Sequence, residues 1–389
     1  MKVVMFSQAR EFSDQPDYDI SFRRATSAGE RIDFLNVPFI GYADKHGWNA
    51  FYRRVLEVNE DFHPDMVFFQ FYHSGGDEGI AECCRSLRIA RNRPLIFGSI
   101  GDPFYTGWAS HFARPLPKSA VNLAANADAF FATAMGNVAE ELVRKGGKNI
   151  VFLPNAFCPE HFPYWEDPYL EDREFDVVML CSKGRLLGRK IVANYCNNWH
   201  RRYVVSKMAR YFGKRFSVFG RGWTNSSAVG TIPFKEQVRI YRKSKVVLDA
   251  PAPIIHTNYY SSDRAFFMLG SGSALVHFHT PRFETMVRQD ENVYFVHRLR
   301  DVCSVCEKVL ALPEDVLNAR RTATRELVKE RHLISHRVDT IISTAEALLK
   351  HRNGELTLEA ALRHLRLWHF LPEVDLESEY KYAVLNWVG

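Results

Sequence analysis

The sequence predicts two doubly wound α/β domains, each built on a parallel sheet with helices on both faces. Short, continuous apolar strands alternate with helical segments, which is typical of a parallel sheet that is buried on both sides. The alternation stops once, in a segment rich in proline, acidic and aromatic residues, and then starts again. The length of 389 residues allows two or three domains, since a typical domain has about 150 residues.

The first half of the chain contains the first set of alternating elements. Its predicted strands are KVVMFS, DMVFFQF, PLIFGSI, ADAFFAT and NIVFLPNA. Its clearest helical segments are HGWNAFYRRVLEVNEDF, GIAECCRSLRIARN and GNVAEELVRKGG, the last of which ends at glycines. We therefore predict a first domain over residues 1–155. The segment FCPEHFPYWEDPYLEDREF has no helical period, and we predict a linker over residues 156–173.

The second half repeats the pattern. Its predicted strands are FDVVMLCS, RFSVFG, KVVLDA, SALVHFH and NVYFVH. Its predicted helices are IVANYCNNWHRRYVVSKMARYFG, KEQVRIYRKS, a helix from about residue 263, DVCSVCEKVLAL and a long helical region from PEDVLNARR to ALLKHR. We predict a second domain over residues 174–349. Residues 350–389 read as a helical and then aromatic tail, which we expect to pack back on the first domain.

Composition narrows the class of protein. The net charge of +6 is compatible with anionic substrates or nucleic acid and is specific to neither. No apolar run approaches the ~18 residues of a membrane helix, and the N-terminal apolar stretch reads as a strand, so we expect a cytoplasmic protein. The seven cysteines include Cys303 and Cys306, which form the motif CSVC in the middle of a predicted helix. We predict that these two are buried core thiols and not a metal or redox site.

Ligands of doubly wound sheets bind at the carboxyl ends of the strands. In the second domain, four strands end in loops that we expect at one edge of the sheet. These loops concentrate small residues and cations: Ser182, Lys183, Gly184, Arg185, Gly220, Arg221, Ser261, Ser262, Arg264 and Glu284. The loop over residues 250–262 is longer than the usual ~2–6 residues of a strand-to-helix connection, which favours a functional role.

Arg264 stands out because it follows a helix start signal formed by Ser261, Ser262 and Asp263. A cation in the first turn is unfavourable beside the positive end of the helix dipole. A bound anion relieves that conflict, and helix N–H groups together with an arginine form a good diphosphate site. The alternative is an arginine that points into solvent or pairs with Asp263 or Glu284.

The same segment resembles a known family. The pattern Asp263-Arg264-x-Phe266, with Ser271-Gly272 and then TPRFE, resembles the R-x-F-E-x-x-x-C-G segment of CgeB-like glycosyltransferases, a branch of the GT-B glycosyltransferases related to family 4. Further motifs follow in the family's order from about residue 90 to 345. They are PLIFGSIGDP, FDVVMLCS, FSVFGRGW, EQVRIYRKSKVVLDA and RELVKERHLISHRVDTII.

The resemblance implies an enzyme with the GT-B fold, in which two Rossmann-like domains face each other across a cleft. It implies a nucleotide-diphosphate sugar in the second domain and an acceptor in the first. Arg264 is then a diphosphate ligand beside the helix start Ser261–Asp263. Gly220, Arg221, Ser182 and Lys183 are then close to the nucleotide or its phosphates. Neither a metal nor a cofactor is implied, since the helix dipole and the cations take the metal's place.

One position departs from the family. A glutamate that contacts the ribose usually stands three residues after the arginine, where this chain has Phe267. The nucleotide is then held differently, the donor is unusual, or activity is lost. Glu284 on the neighbouring loop is a candidate replacement, with surface helix capping as its alternative.

The first domain offers two candidate catalytic residues. His73 follows an apparent strand and is a candidate base or sugar-hydroxyl ligand, or else a turn histidine. Asp102 precedes Pro103 and is a candidate to activate the acceptor hydroxyl, or else a turn residue.

We expect an acceptor in cell-envelope glycan synthesis, with peripheral membrane contact as an option. Three alternatives stay open: a modified DNA base as acceptor, a sugar-nucleotide epimerase, and a non-catalytic sugar-nucleotide-binding protein. We favour nucleic acid less, because no dense basic stripe with interleaved aromatic residues is visible along the sequence.

Overall fold

The computed structural model describes residues 1–12, 16–27, 32–72, 79–101, 116–162, 165–166, 173–183, 191–250, 258–367, 370–371 and 382–388. These residues form two compact units. The first unit contains the described residues up to Pro154 and those from Ile334 onward, and the second contains those of Asn155–Leu333.

The first unit is built on a seven-stranded sheet. Its strands are β1 (Lys2–Ser7), β2 (Asp33–Pro38), β3 (Met66–Phe69), β4 (Leu95–Ile100), β5 (Ala129–Ala132), β6 (Ile150–Phe152) and β13 (Val384–Leu385). They are ordered β13-β6-β5-β4-β3-β1-β2. All neighbours are parallel except β13, which pairs antiparallel with β6. Strands β3, β4, β5 and β6 are buried along their whole length, as expected for a sheet covered on both faces.

The helices of the first unit connect these strands. They are α1 (Pro16–Ser27), α2 (Phe39–His46), α3 (Trp48–Phe62), α4 (Gly79–Ile89), α5 (Lys118–Asn126), α6 (Asn137–Arg144), α12 (Ile334–Arg352) and α13 (Leu358–His364). Helix α12 packs against α1 and α13.

The second unit has a six-stranded, fully parallel sheet. Its strands are β7 (Phe175–Leu180), β8 (Phe216–Phe219), β9 (Ala228–Gly230), β10 (Ser244–Leu248), β11 (Ala274–Phe278) and β12 (Val293–Val296), in the order β12-β11-β10-β7-β8-β9. Its helices are α7 (Ile191–Phe212), α8 (Gln237–Arg242), α9 (Asp263–Gly270), α10 (Val302–Leu310) and α11 (Glu314–Arg331). The carboxyl ends of β7, β8, β10 and β11 meet at one edge, as the sequence predicts.

The unit boundaries differ from the domain limits read from the sequence. The sequence predicts a second domain that extends to residue 349, whereas helix α12 belongs to the first unit and packs on α1 and α13. The predicted linker over residues 156–173 begins inside the second unit. Phe157 bridges to Leu333, and its ring packs on Phe162 and Trp165. Apolar aromatic side chains in this segment are therefore part of a core.

Two further expectations concern the cysteines and the membrane. Cys303 and Cys306 lie in α10 as buried free thiols, as predicted, and burial raises the pKa of both. Among the described residues, no helix combines the length and the hydrophobicity that crossing a bilayer requires.

Candidate functional site

The loops after β7 and β8 are joined by backbone hydrogen bonds. The N–H of Cys181 donates to the carbonyl of Phe219 at 2.9 Å, and the N–H of Lys183 donates to the carbonyl of Arg221 at 3.0 Å. The indole Nε1 of Trp223 donates to the carbonyl of Cys181 at 2.7 Å. The two loops therefore form one rigid floor at the carboxyl edge of the sheet.

Gly220 makes the close approach of these loops feasible. Its φ is +138°, a conformation that side chains disfavour, and a Cβ there would lie 2.2 Å from the carbonyl oxygen of Cys181. The N–H of Gly220 donates to the carbonyl of Gly230 at 2.7 Å, which ties the floor to β9. A glycine is therefore required at position 220.

Residues 259–261, which precede α9, are fixed by hydrogen bonds to residues 280–281 and to Asn155. The N–H of Tyr259 donates to the carbonyl of Pro281 at 2.8 Å, and the hydroxyl of Thr280 donates to the carbonyl of Tyr260 at 2.7 Å. The amide Nδ2 of Asn155 donates to the carbonyl of Ser261 at 3.0 Å. These bonds fix the start of α9 at the same edge as the loop floor.

Ser262 is the residue that caps α9, and its extended backbone confirms the predicted helix start. Its hydroxyl is buried and has no hydrogen-bond partner among the described residues. The carboxylate of Asp263 accepts from the N–H of Arg264 at 2.8 Å. The helix N-terminus thus keeps a polar side chain available for a ligand.

A cavity of about 250 Å³ lies above the loop floor. It is lined by Leu180, Cys181, Ser182, Phe219, Gly220, Arg221, Thr231, Ile232, Gln237 and Arg264. The structure therefore brings together four of the predicted site residues from three separate loops. Of the others, Lys183 and Asp263 are adjacent in sequence to lining residues, and Ser261 and Ser262 precede Arg264 by three and two positions. Glu284 does not line the cavity, and its carboxylate lies 3.3 Å from His279 Nε2.

Arg264 is half-buried, and its Nε is fully shielded with no hydrogen-bond partner among the described residues. Burial alone lowers the pKa of a guanidinium, but the carboxylates of Asp249 and Asp263 outweigh it, so the pKa of Arg264 is raised. The side chain is therefore a firmly charged cation at the cavity wall.

Arg201 on α7 is a second cation of this site, and the sequence reading missed it. Burial and the nearby charge of Arg264 lower the pKa of Arg201, so the two guanidinium groups are close enough to repel each other. Its Nε is also buried without a hydrogen-bond partner among the described residues. A signal was present in the sequence. Arg201 lies three, four and seven residues before the apolar side chains Val204, Val205 and Met208, so it continues the buried stripe of the helix.

Asp249 is the buried carboxylate of this edge. It follows β10, is 3% exposed, and its Oδ2 lies 3.3 Å from Nε2 of the equally buried His277. Its Oδ1 accepts from the N–H of Ala250 at 2.7 Å. Asp249 is thus the buried carboxylate that acts on both arginines, while Asp263 at the start of α9 acts on Arg264 as well.

Phe267 has a structural role. It is 3% exposed, and its ring centroid lies 5.0 Å from that of Phe162 and 5.7 Å from that of Phe234. It does not line the cavity. Phe267 is therefore part of an aromatic cluster. The candidate catalytic residues His73 and Asp102, and the loop residues Gly184 and Arg185, lie outside the residues that the structure describes.

Residues 200–343 match the model of a family described as glycosyl transferase-like. The match covers the second unit from within α7 to its end and continues into α12. No curated protein sequence matches the chain.

Several solved structures share the fold at low sequence identity. A sucrose-phosphate synthase from Thermosynechococcus elongatus has a TM-score of 0.55 and 12% identity over 85% of this chain and 94% of its own. Anabaena HepE, solved with UDP-glucose, has a TM-score of 0.55 and 11% identity over 89% of this chain and 100% of its own. An alpha-glucosyltransferase, solved with UDP and a 13-mer DNA, has a TM-score of 0.53 and 11% identity over 84% of this chain and 95% of its own. The chain thus has two Rossmann-like units of the GT-B class, and its second unit is glycosyl transferase-like in sequence.

Proposed function

We propose that this chain is a glycosyltransferase of the CgeB-like branch related to family 4, which transfers a sugar from a nucleotide-diphosphate sugar to an acceptor hydroxyl. The observation that carries the proposal is the pair Arg201 and Arg264. Each of the two guanidinium groups has a shielded Nε with no partner among the described residues, and they are near enough for the charge of Arg264 to lower the pKa of Arg201. A diphosphate offers the charge and the oxygen acceptors that such a pair needs.

The cavity lining suggests how the donor is arranged. The diphosphate would lie between Arg264, Arg201 and the start of α9, where the hydroxyl of Ser262 is available. The nucleoside would extend toward Thr231 and Gln237, whose hydrogen-bonding side chains also line the cavity. Because Phe267 is part of the core, the ribose would be bound without the family's glutamate.

In the proposed reaction, the positive charges of the site stabilise the leaving diphosphate. As the bond between the sugar and the diphosphate breaks, negative charge grows on the leaving phosphate oxygens. The arginines and the helix N–H groups stabilise that charge in place, so the departing diphosphate needs no metal ion. Among the residues outside the described structure, Asp102 remains our candidate for activating the acceptor hydroxyl, and His73 for binding a sugar hydroxyl.

We propose UDP-sugars as the first donors to test, because the similar Anabaena structure was solved with UDP-glucose. For the acceptor we propose a cell-envelope glycan reached from the cytoplasm, with peripheral membrane contact. A modified DNA base is the second candidate, since one similar glucosyltransferase was solved with DNA that contains an HMU base.

A donor screen tests the proposal. Purified protein would be titrated with UDP-, GDP-, TDP-, ADP- and CMP-sugars by thermal shift and calorimetry. Nucleotide release would then be measured with and without candidate acceptors. A donor whose nucleotide is released only when an acceptor is present supports a transferase. Conversion of the sugar without an acceptor would support an epimerase instead, and binding without any turnover would support a non-catalytic protein.

A further inference from the structure

The outward side of helix α7 carries a line of exposed aromatic rings. Trp199, Tyr203 and Tyr211 are 47%, 37% and 59% exposed. They are four and eight residues apart, so they follow one i, i+4 ridge of the helix, at a rise of about 6 and 12 Å. The rings of Trp199 and Tyr203 are already stacked, with centroids 5.7 Å apart and planes 14° apart. A contiguous row of exposed rings, unlike single scattered ones, is typical of an interaction site.

Cations alternate with these rings. Arg202, Lys207 and Arg210 line a groove of about 740 Å³ together with Ser206 and the three aromatic side chains. The ammonium of Lys207 donates one hydrogen bond to the carbonyl of Arg300 at 2.7 Å. This bond holds the lysine in place and leaves two of its three N–H donors for other partners.

The sequence around this face concentrates the positive charge of the chain. Residues 177–235 contain 12 Lys and Arg and no Asp or Glu over 59 positions. The whole chain has 51 Lys and Arg against 45 Asp and Glu, so the remaining residues hold 39 against 45 and are net acidic. The positive excess of the protein therefore belongs to this one segment, and the groove is its exposed aromatic part.

We propose that this α7 groove binds single-stranded nucleic acid. Proteins that bind single strands combine a basic groove for the backbone with aromatic side chains on which the bases stack. Both components are present on one face of α7, and the stacked pair Trp199–Tyr203 offers a preformed platform. Bases of a duplex are stacked on one another, so a single strand is the form that can use the rings.

The composition of the groove argues against a bilayer as partner. Helices that lie on membranes bury a face rich in large apolar side chains in the acyl region. Among the α7 side chains that the structure describes, Val204, Val205, Met208 and Phe212 are instead buried in the core of the second unit. The lining residues that the structure describes are tryptophan, tyrosine, serine, arginine and lysine.

This inference goes beyond the proposed function and is independent of it. None of the groove residues lines the donor cavity. Binding of a single strand would be measured without any sugar nucleotide, so failure of either proposal leaves the other standing. The sequence reading did not find the stripe, because its members are contiguous only after the chain is wound into a helix.

The test is fluorescence anisotropy with a labelled 20-mer of thymidine, its duplex, and unlabelled poly-glutamate as competitor. The expected result is binding of the single strand that is tighter than binding of the duplex and resists poly-glutamate. With about three phosphates contacted, raising the salt from about 50 to 200 mM should weaken binding by about 20-fold. Trp199→Ala and Tyr211→Ala should each weaken it by about 5- to 150-fold.

Matched control variants distinguish an effect of the groove residues on binding from the effect of losing any exposed ring or any surface charge. Phe12→Ala, which removes a ring that is 56% exposed in the first unit, is the control for the two ring variants. Lys148→Glu, which reverses an exposed charge in the first unit, is the control for Arg210→Glu in the groove. The controls should leave binding unchanged, and circular dichroism should show that all variants are folded. The proposal is overturned if controls and groove variants lose binding equally, or if poly-glutamate or the duplex competes as well as the single strand. It is also overturned if vesicles of anionic phospholipid bind and the oligonucleotide does not.

Discussion

The substitution Gly220→Ala tests whether the loop floor is built as described. An alanine Cβ at this position would lie 2.2 Å from the carbonyl oxygen of Cys181, where real Cβ contacts are at least 3.0 Å. That carbonyl also accepts the indole hydrogen bond of Trp223, so it cannot retreat without weakening the bond. The two loops would have to separate by most of an ångström.

The expected loss of unfolding free energy in Gly220→Ala is the sum of two separate costs. An L side chain at a φ of +138° is strained by about 1–3 kcal/mol. Overpacking in a tight contact adds about 1–3 kcal/mol. Gly230 provides the matched control, since its φ is +116° and a Cβ there meets nothing within 4 Å. Gly230→Ala should therefore show only the first cost.

Urea unfolding of both variants measures the difference. We expect Gly220→Ala to lose about 1–3 kcal/mol more unfolding free energy than Gly230→Ala, because only Gly220 meets a neighbouring carbonyl. We also expect weaker UDP binding by Gly220→Ala, because residues of both loops line the cavity. If the two variants are equally stable and bind UDP equally, the loops are not packed as we describe them.

Three further predictions concern buried groups of the second unit. Phe267→Glu should lower the free energy of unfolding by about 3 kcal/mol or more, since a carboxylate replaces a ring between Phe162 and Phe234. A stable variant that binds UDP more tightly would contradict the structural role of Phe267. Trp165→Phe should lower the free energy of unfolding in urea by about 1–2 kcal/mol, because Nε1 of Trp165 donates to the buried carbonyl of Gly270 at 2.6 Å. An unchanged stability would show that this hydrogen bond contributes nothing. Burial lowers the pKa of His277, so the unfolded chain takes up its proton more readily and the free energy of unfolding should fall as the pH drops below about 6.5. His277→Asn should reduce that slope between about pH 7 and pH 5, and an unaltered slope would show that other groups cause it.

The fold was largely predictable because its signals are local. Apolar strands of the parallel sheets, the glycine-bearing loop after β8 and the start of α9 each follow from a few adjacent residues. The prediction that Arg264 binds an anion has a local origin too, since its conflict with the helix dipole is visible from the capping residues before it.

Features that depend on distant packing were less predictable. Arg201 lies eighteen positions after Lys183 and reaches the site only because α7 returns along the sheet, although a cation in an apolar stripe could have indicated it. The assignment of α12 to the first unit depends on its packing with α1, which is more than 300 residues away in the sequence. The partner of Glu284 is His279, five residues before it, and that pairing requires the turn between them.

We propose above that Arg264 binds the diphosphate of a nucleotide sugar at the carboxyl edge of the second sheet. Calorimetry of UDP and uridine binding to the native chain and to Arg264→Ala tests it most directly. Loss of charge-assisted hydrogen bonds, about 1.5–3 kcal/mol, should weaken UDP binding by about 10- to 150-fold. Uridine affinity should be unchanged, since uridine has no phosphate. Arg54→Ala, which removes an exposed arginine paired with Glu57, should affect neither ligand. If Arg264→Ala binds UDP as tightly as the native chain does, Arg264 is not a diphosphate ligand and the account of the site is wrong.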